Sequence, residues 1–232
     1  KTPTQLVWYQ RSVMRIEVWS DIVCPWCYIG KRRLERALEG LAGRDSVEIV
    51  HRSFQLERSM PEGETKERRS MLKSKYRLSD DQVATMDERL ERLAAEDGLD
   101  FDLSGGVTGN TALAHQLVQF ARTHGRDAAM LERLYRAYFT EGRSVFERDA
   151  LVALATEVGL DAAETAQALD SGTFAESVRA DLQAASALGV QGVPFFVLDG
   201  RYGVSGAQPV ETFIEVLERA SAPAVATAGS NA

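Results

Sequence analysis

The spacing of apolar residues predicts a strand, a helix and a second strand near the start of the chain. The run Ile16-Glu17-Val18-Trp19 has the β-branched and aromatic residues typical of a strand. Between residues 31 and 41, leucine and alanine recur at three- and four-residue intervals, which predicts an amphipathic helix. Glycines at positions 40 and 43 mark its end. Residues 47–56 predict the second strand, because β-branched residues are followed by alternating apolar and polar positions.

From residue 60 to 188 the apolar spacing predicts helices almost throughout. Ser79 and Gln82 have the spacing of a capping box, which predicts that a helix begins there. Residues 64–78 are charged and permit a helix, and residues 105–109 predict a flexible glycine loop. Asn110 is predicted to cap the helix that follows this loop. Further helices are predicted up to residue 188.

Strands return after residue 188. Residues 195–198 and 201–205 predict two strands joined by the hairpin dipeptide Asp199-Gly200. A closing helix follows Pro209. The order is therefore β-α-β, a helical block, and β-β-α. Because strands flank the helices on both sides, we predict one α/β domain, residues 14–59 and 189–219, interrupted by a helical insertion at residues 60–188.

The first strand leads directly into Cys24-Pro25-Trp26-Cys27, which holds both cysteines of the chain. A thiolate at the start of a helix is stabilised by unpaired N–H groups and by the helix dipole. Pro25 suits the first helical position. We therefore expect Cys24 to have a lowered pKa and to be the attacking sulfur. Cys27 lies on the same helix face, about 5–6 Å away between Cβ atoms, and can resolve a mixed disulfide.

Two other interpretations of the cysteines are weaker. One CxxC motif supplies two zinc ligands, and His51, His115 and His124 do not have the spacing of the others. A structural disulfide across three residues would constrain the unfolded chain very little. A CxxC at a strand–helix junction instead indicates a redox-active dithiol in a thioredoxin-like unit.

Composition narrows the class of protein. The chain has 232 residues, of which 44% are hydrophobic and 26% charged, as in globular proteins. A formal net charge of −7 argues against a nucleic-acid or anionic-membrane binder. No apolar run approaches the ~20 residues that span a bilayer. Two cysteines in one motif fit a reducing cytoplasm.

The two ends are expected to lie outside the fold. Residues 1–13 lack the pattern of a secretory signal and are predicted to be an extension upstream of a natural start at Met14, with a genuine N-terminal arm as the alternative. Residues 220–232 are rich in alanine, serine and glycine and are predicted to be a disordered tail.

Several motifs taken together resemble one family. They are residues 20–30 around CPWC, Asn110-Thr111 with Ala114-His115, Gly192-Val193-Pro194-Phe195-Phe196, and Ser205-Gly206-Ala207-Gln208. The combination resembles the FrnE-like branch of the DsbA family of thioredoxin-fold thiol-disulfide oxidoreductases. The resemblance spans about residues 14–219.

This resemblance implies a thioredoxin fold with a helical insertion, disulfide oxidoreductase activity, and no metal or tightly bound cofactor. It implies that Cys24 is the nucleophile and Cys27 the resolving cysteine. It also implies a cis peptide bond between Val193 and Pro194 that faces the motif and leaves the Val193 backbone to pair with a substrate strand. Pro25, Trp26 and Asn110 are implied to be positioning or substrate-binding residues. Because Trp26 stands where periplasmic DsbA proteins have histidine, we expect a less oxidising pair.

Different functions stay open at this point. Relatives in the same superfamily include glutathione-dependent transferases and 2-hydroxychromene-2-carboxylate isomerases, which commonly carry serine at the position of Cys24. Two further candidate functions are a polyketide-pathway accessory protein and a non-catalytic binding module. The expected partner is a protein or small molecule with a thiol or disulfide, with glutathione open as a redox partner. The chain is expected to be a monomer or homodimer.

Overall fold

The computed structural model describes residues 13–222 and has a mixed sheet of four strands in the order β2-β1-β5-β6. Strand β1 (Met14–Ser20) leads through the CPWC turn into helix α1 (Pro25–Glu39). A short 3₁₀ helix (Arg44–Ser46) then precedes β2 (Val47–Ser53). Strands β1 and β2 are parallel and in register from Met14 opposite Val47 to Ser20 opposite Ser53. This β-α-β unit matches the prediction from the apolar pattern.

The C-terminal strands complete the sheet. Strand β5 (Phe195–Leu198) is antiparallel to β1, and β6 (Tyr202–Ser205) is antiparallel to β5. Asp199 and Gly200 both have positive φ, at 50° and 64°, and the Arg201 N–H donates to the Leu198 carbonyl across the turn at 3.0 Å. Because Leu198 pairs with Tyr202, the connection has three residues and the second strand begins one residue later than predicted. Helix α9 (Val210–Ser221) then packs against α1 and β5. The predicted β-β-α half is confirmed.

Seven α-helices lie between β2 and β5 in the described chain. They are α2 (Arg68–Tyr76), α3 (Asp80–Glu96), α4 (Ala112–Thr123), α5 (Asp127–Phe139), α6 (Arg148–Glu157), α7 (Ala162–Ser171) and α8 (Ala175–Ala187). The capping box of α3 is confirmed: the Gln82 N–H donates to Ser79 Oγ at 3.2 Å, and the Ser79 N–H donates to Gln82 Oε1 at 2.8 Å. Across residues 13–222, no helix combines the length and apolar character needed to cross a membrane.

The structure makes three local corrections to the predictions. A small two-stranded antiparallel sheet, β3 (Thr65–Glu67) with β4 (Val107–Gly109), occupies the start of the predicted helix at 64–78 and the end of the predicted loop at 105–109. Strand β2 ends at Ser53 instead of Leu56, because its partner strand β1 ends at the paired residue Ser20. Beyond this point the Leu56 N–H donates to the Asp21 side chain at 2.7 Å.

The third correction concerns the predicted tail. Helix α9 continues through Ser221, and Ala220 is buried, so the first two residues of the predicted 220–232 tail are helical. The remainder of that prediction from residue 223, and the prediction for residues 1–12, lie outside the described residues. The exact domain boundaries stay a prediction.

Two apolar cores meet at the CPWC motif. One core lies between the sheet and helices α1 and α9, with Ile16, Phe196 and Phe213 at its centre. The other fills the helical segment and includes Cys24, Cys27 and Tyr28. The first turns of α1 are therefore packed against the helices, while its later turns are packed against the sheet.

Candidate active site

The two cysteines lie at the start of α1, where the sequence predicted them. Cys24 is the N-cap residue with extended backbone angles, and Pro25 occupies the first helical position. The Cys27 N–H donates to the Cys24 carbonyl at 3.0 Å. Both thiols are free, and the residues are only 4% and 2% exposed. The arrangement is a buried, reduced dithiol at a helix N-terminus.

The Val193–Pro194 segment faces Cys24, and the peptide bond between these two residues is cis. The Cys24 thiol donates to the Val193 carbonyl, with 3.5 Å between Sγ and the oxygen. The Pro194 carbonyl accepts the Gly206 N–H at 2.8 Å, which ties this segment to the turn at residues 205–208. Residues separated by about 170 positions in the sequence are thus brought together around one sulfur.

The two thiols have different surroundings. Burial raises the pKa of Cys27 well above its ordinary value, and the neighbouring Cys24 raises it further through a hydrogen bond and its charge. The Asp21 carboxylate acts in the same direction, while a hydrogen bond from the Asp21 backbone acts against it. Cys27 is therefore held as a thiol in the reduced protein.

Asp21 fixes the turn that precedes Cys24. Its side chain is fully buried, accepts the Leu56 N–H at 2.7 Å, and lies 3.3 Å from Nε2 of His115. Its backbone carbonyl accepts the Cys24 N–H at 3.1 Å. Sequence analysis placed Asp21 and His115 within family motifs but did not predict that they contact each other.

An aromatic stack supports the other side of α1. The Tyr28 ring lies on the Tyr135 ring with 4.8 Å between centroids, and on Phe101 at 5.8 Å. The Tyr28 hydroxyl donates to Glu132 at 2.7 Å. Burial raises the pKa of Tyr135, and the charge of Cys27 adds to this effect, so this hydroxyl lies in the electrostatic field of the site. Sequence analysis missed this stack because its rings come from distant segments.

The basic residues that follow the CPWC motif on α1 form ion pairs with acidic residues of the helical segment. Lys31 and Arg32 both bind Glu132 of α5, at 2.5 Å and 2.9 Å. Arg33 binds Asp97 at the end of α3, at 2.7 Å. Each positive charge on this part of α1 therefore has an acidic partner from the helical segment.

The remaining predicted site residues lie in two different settings. Trp26, which stands between the two cysteines in the sequence, lies at the surface and is 40% exposed. Asn110 is half-buried; its side chain accepts the Gln55 amide and the Ala112 N–H, both at 2.8 Å, and donates to the Met60 carbonyl at 2.7 Å. Asn110 thus supports the first turn of α4 from one position before its N-cap, Thr111. Its described contacts join loops and do not reach the thiols.

Among residues 13–222, no cluster of three or more His, Cys, Asp or Glu side chains has an arrangement that could hold a metal ion. The Cys24 sulfur lies against the Val193 carbonyl at the helix start, with Cys27 and the exposed Trp26 ring on the first turn of α1. This set suits sulfur exchange with an extended peptide or a small thiol.

Comparison with known proteins places this site in context. The model of the DSBA-like thioredoxin domain matches residues 15–218. The uncharacterised protein YwbO of Bacillus subtilis (strain 168) is 28% identical over 202 residues, which cover 86% of this chain and 94% of that protein. The crystal structure of the probable DsbA oxidoreductase SCO1869 from Streptomyces coelicolor is 44% identical, with a TM-score of 0.86 over 89% of each chain.

Two more distant structures share the fold. The cytosolic disulfide reductase DsbM from Pseudomonas aeruginosa, solved with GSH, is 23% identical, with a TM-score of 0.61 over 88% of this chain and 98% of that one. A 2-hydroxychromene-2-carboxylate isomerase is 17% identical, with a TM-score of 0.66 over 88% of this chain and 95% of that one. The predicted thioredoxin-like fold with inserted helices is thereby confirmed.

Proposed function

The chain belongs to the DSBA-like thioredoxin domain family of thiol-disulfide oxidoreductases, and on this premise we propose that it exchanges disulfides through Cys24 and Cys27. The observation that carries the proposal is the placement of the Cys24 sulfur at the start of α1 and against the Val193 carbonyl. The helix start stabilises a thiolate, and the neighbouring backbone offers a place for a substrate strand.

In the proposed reaction, the Cys24 thiolate attacks one sulfur of a substrate disulfide. The substrate S–S bond breaks, its other sulfur leaves as a thiolate that takes a proton from water, and a mixed disulfide forms on Cys24. Cys27 then loses its proton to solvent and attacks the Cys24 sulfur. The second substrate thiol is released, so that the substrate gains two electrons and the protein holds a Cys24–Cys27 disulfide. The reverse sequence oxidises a dithiol.

The environment of Cys27 supports this order of events. Because the Cys24 charge helps to raise the pKa of Cys27, the resolving thiol stays protonated while Cys24 is free. Once Cys24 is tied in a mixed disulfide, that charge is gone and deprotonation of Cys27 becomes easier. The pair therefore reacts in sequence, with Cys24 first.

The proposed substrate is an extended cysteine-containing peptide that pairs with the Val193 backbone, with Pro25, Pro194 and the exposed Trp26 ring shaping the surface around Cys24. We propose that Asn110 acts indirectly, by holding the loop that carries Met60. Glutathione is the proposed small-molecule redox partner, which the GSH-bound DsbM structure supports as an analogy. We further propose the FrnE-like branch and a cytoplasmic location, which cell fractionation would test.

The test is an insulin-reduction assay with glutathione as electron donor, on the wild type and on Cys24→Ser and Cys27→Ser. We expect Cys24→Ser to abolish the activity. We expect Cys27→Ser to stop after one step and retain a covalently attached peptide, which mass spectrometry would find on Cys24. Equal activity of Cys24→Ser and wild type would refute the proposal. Turnover of a glutathione conjugate that survives Cys27→Ser would instead favour the transferase or isomerase alternative.

A further inference from the structure

Arg33 connects its own helix to two segments that are distant in the sequence, through contacts that the proposed thiol exchange does not itself use. It lies on α1, nine residues after Cys24, which is about 14 Å along the helix. Its Nε donates to Asp97 Oδ2 at 2.7 Å, and its Nη1 donates to the Ala207 carbonyl at 2.8 Å. The side chain is only 15% exposed, and that of Asp97 only 5%. The guanidinium thus joins α1, the end of α3 and the turn at residues 205–208.

The turn at residues 205–208 is in direct contact with the substrate-facing segment. The Gly206 N–H, one residue before the carbonyl that Arg33 holds, donates to the Pro194 carbonyl at 2.8 Å. The preceding carbonyl, that of Val193, accepts the Cys24 thiol. Helix α1 therefore holds the Val193–Pro194 segment at two points: directly at Cys24, and through Arg33 and the turn at the far end.

The space between these two points is filled closely. A Cβ atom on Gly30, which lies between Cys24 and Arg33 on α1, would meet Pro194 Cγ at 3.0 Å and the Ala207 Cα at 3.5 Å. The Pro194 ring therefore lies against the helix backbone itself. With the segment in direct contact at Gly30, a shift of the Ala207 carbonyl is passed to Val193 instead of being absorbed by a flexible side chain.

We propose that Arg33 is a positioning residue that sets the distance between the Val193–Pro194 segment and Cys24, and that Asp97 couples this distance to the helical segment. The inference rests on the function proposed above, since it concerns how a peptide is presented to Cys24. A guanidinium suits the task because its planar fork reaches a carboxylate and a carbonyl at once. Lysine carries the same charge but lacks the fork.

Arg36 provides a matched control on the same helix. It also binds Asp97, with 2.9 Å between Nη1 and Oδ1, but its side chain is 48% exposed. Its described hydrogen bond goes to Asp97 and not to the turn at residues 205–208. Arg33→Met removes the contact with the turn together with one ion pair, whereas Arg36→Met removes an ion pair with the same carboxylate alone.

The experiment compares two reactions of Cys24 in a Cys27→Ser background, in which exchange stops at the mixed disulfide. One reagent is a ten-residue peptide whose cysteine is activated as a 2-thiopyridyl disulfide. The Cys24 thiolate displaces thiopyridone from it, which is followed by absorbance. The other is iodoacetamide, which needs no strand pairing. The readout is the ratio of the peptide rate constant to the alkylation rate constant.

We expect Arg33→Met to lower this ratio about tenfold, as loss of a hydrogen bond from a charged group would. Asp97→Asn should also lower the ratio, and Arg33→Lys should lower it less than Arg33→Met does. Arg36→Met should leave the ratio within about twofold of the parent. Thermal melting by circular dichroism shows which variants fold. If Arg33→Met does not fold, Arg33→Lys decides the question.

Equal ratios for Arg33 and Arg36 variants would overturn the inference. So would a fall of both rate constants by the same factor, since Arg33 would then act on the Cys24 sulfur and not on the peptide. Failure of the proposed function would appear differently, as a parent protein that forms no mixed disulfide with the peptide.

Discussion

Gly30 offers the sharpest test of the packing around the thiols, because the change Gly30→Ala adds a single carbon atom at one known place. The residue is buried in the second turn of α1. The new Cβ would lie 3.0 Å from Pro194 Cγ and 3.2 Å from Phe196 Cζ. Carbon atoms in proteins normally approach to about 3.5–4.0 Å, so neighbours must move by roughly 0.5 Å.

The magnitude follows from two opposing effects. Overpacking a filled core costs about 1–3 kcal/mol, while alanine in a helix interior stabilises by about 1 kcal/mol relative to glycine. We therefore expect the free energy of unfolding to fall by up to about 2 kcal/mol. The new Cβ lies closer to Pro194 than to Phe196, so the Val193–Pro194 segment is the neighbour displaced most. Its displacement moves the Val193 carbonyl from Cys24, and peptide disulfide exchange should slow more than alkylation of Cys24.

Gly40→Ala is the control on the same helix. A Cβ at this exposed C-cap position meets nothing within 4 Å, and the residue has φ of −88°, which alanine adopts readily. This variant should be as stable as the wild type or slightly more stable, with unchanged exchange. Urea denaturation and the peptide exchange rate would be measured on both variants. Indistinguishable results for Gly30→Ala and Gly40→Ala would refute the packing argument.

Two other predictions concern buried titratable side chains, His51 and Asp181. Burial lowers the pKa of His51 from 6.5 to about 4, with Asp127 acting against this and Lys31 and Arg122 adding to it. The unfolded chain then binds more protons between those values, so His51 removes roughly 2 kcal/mol of stability as the pH falls from 7 to 5. In His51→Gln, the free energy of unfolding, measured by urea denaturation, should fall less between pH 7 and pH 5 than in the wild type. An unchanged fall would contradict this. Asp181 is 2% exposed and accepts from Arg52, the Ser53 N–H and Gln119 at 2.7–2.9 Å. Asp181→Ala should destabilise by about 3–5 kcal/mol, whereas Asp170→Ala, in the exposed pair with Arg148, should cost far less because solvent screens that pair. Equal losses would refute the burial argument.

Local patterns were sufficient to predict the elements that carry the thiols. Pro25 fits the first helical position, and the leucines after it define the face of α1 that packs on the sheet. The Asp199-Gly200 turn was equally readable, because its two positive φ angles require residues of that kind. In each case the determining interaction lies within a few residues of the chain.

The parts that sequence analysis missed depend on distant contacts. Strand β2 ends early because its partner β1, more than 30 residues earlier in the sequence, ends at Ser20 opposite Ser53. The β3–β4 sheet joins segments about 40 residues apart, and the three charged or polar residues of β3 gave no strand signal. Arg33 reaches Ala207 across 174 positions. No periodicity along the chain carries information of this kind.

The same distant contacts change the electrostatic explanation of the site. Lys31, Arg32 and Arg33 follow the CPWC motif on α1, and as unpaired cations they would add positive potential at the Cys24 sulfur. In the structure the first two share Glu132 and the third binds Asp97, so carboxylates of the helical segment offset part of this positive charge. The helical segment therefore does more than enlarge the protein. Its carboxylates pair with the basic residues of α1 and hold in place the helix on which exchange depends.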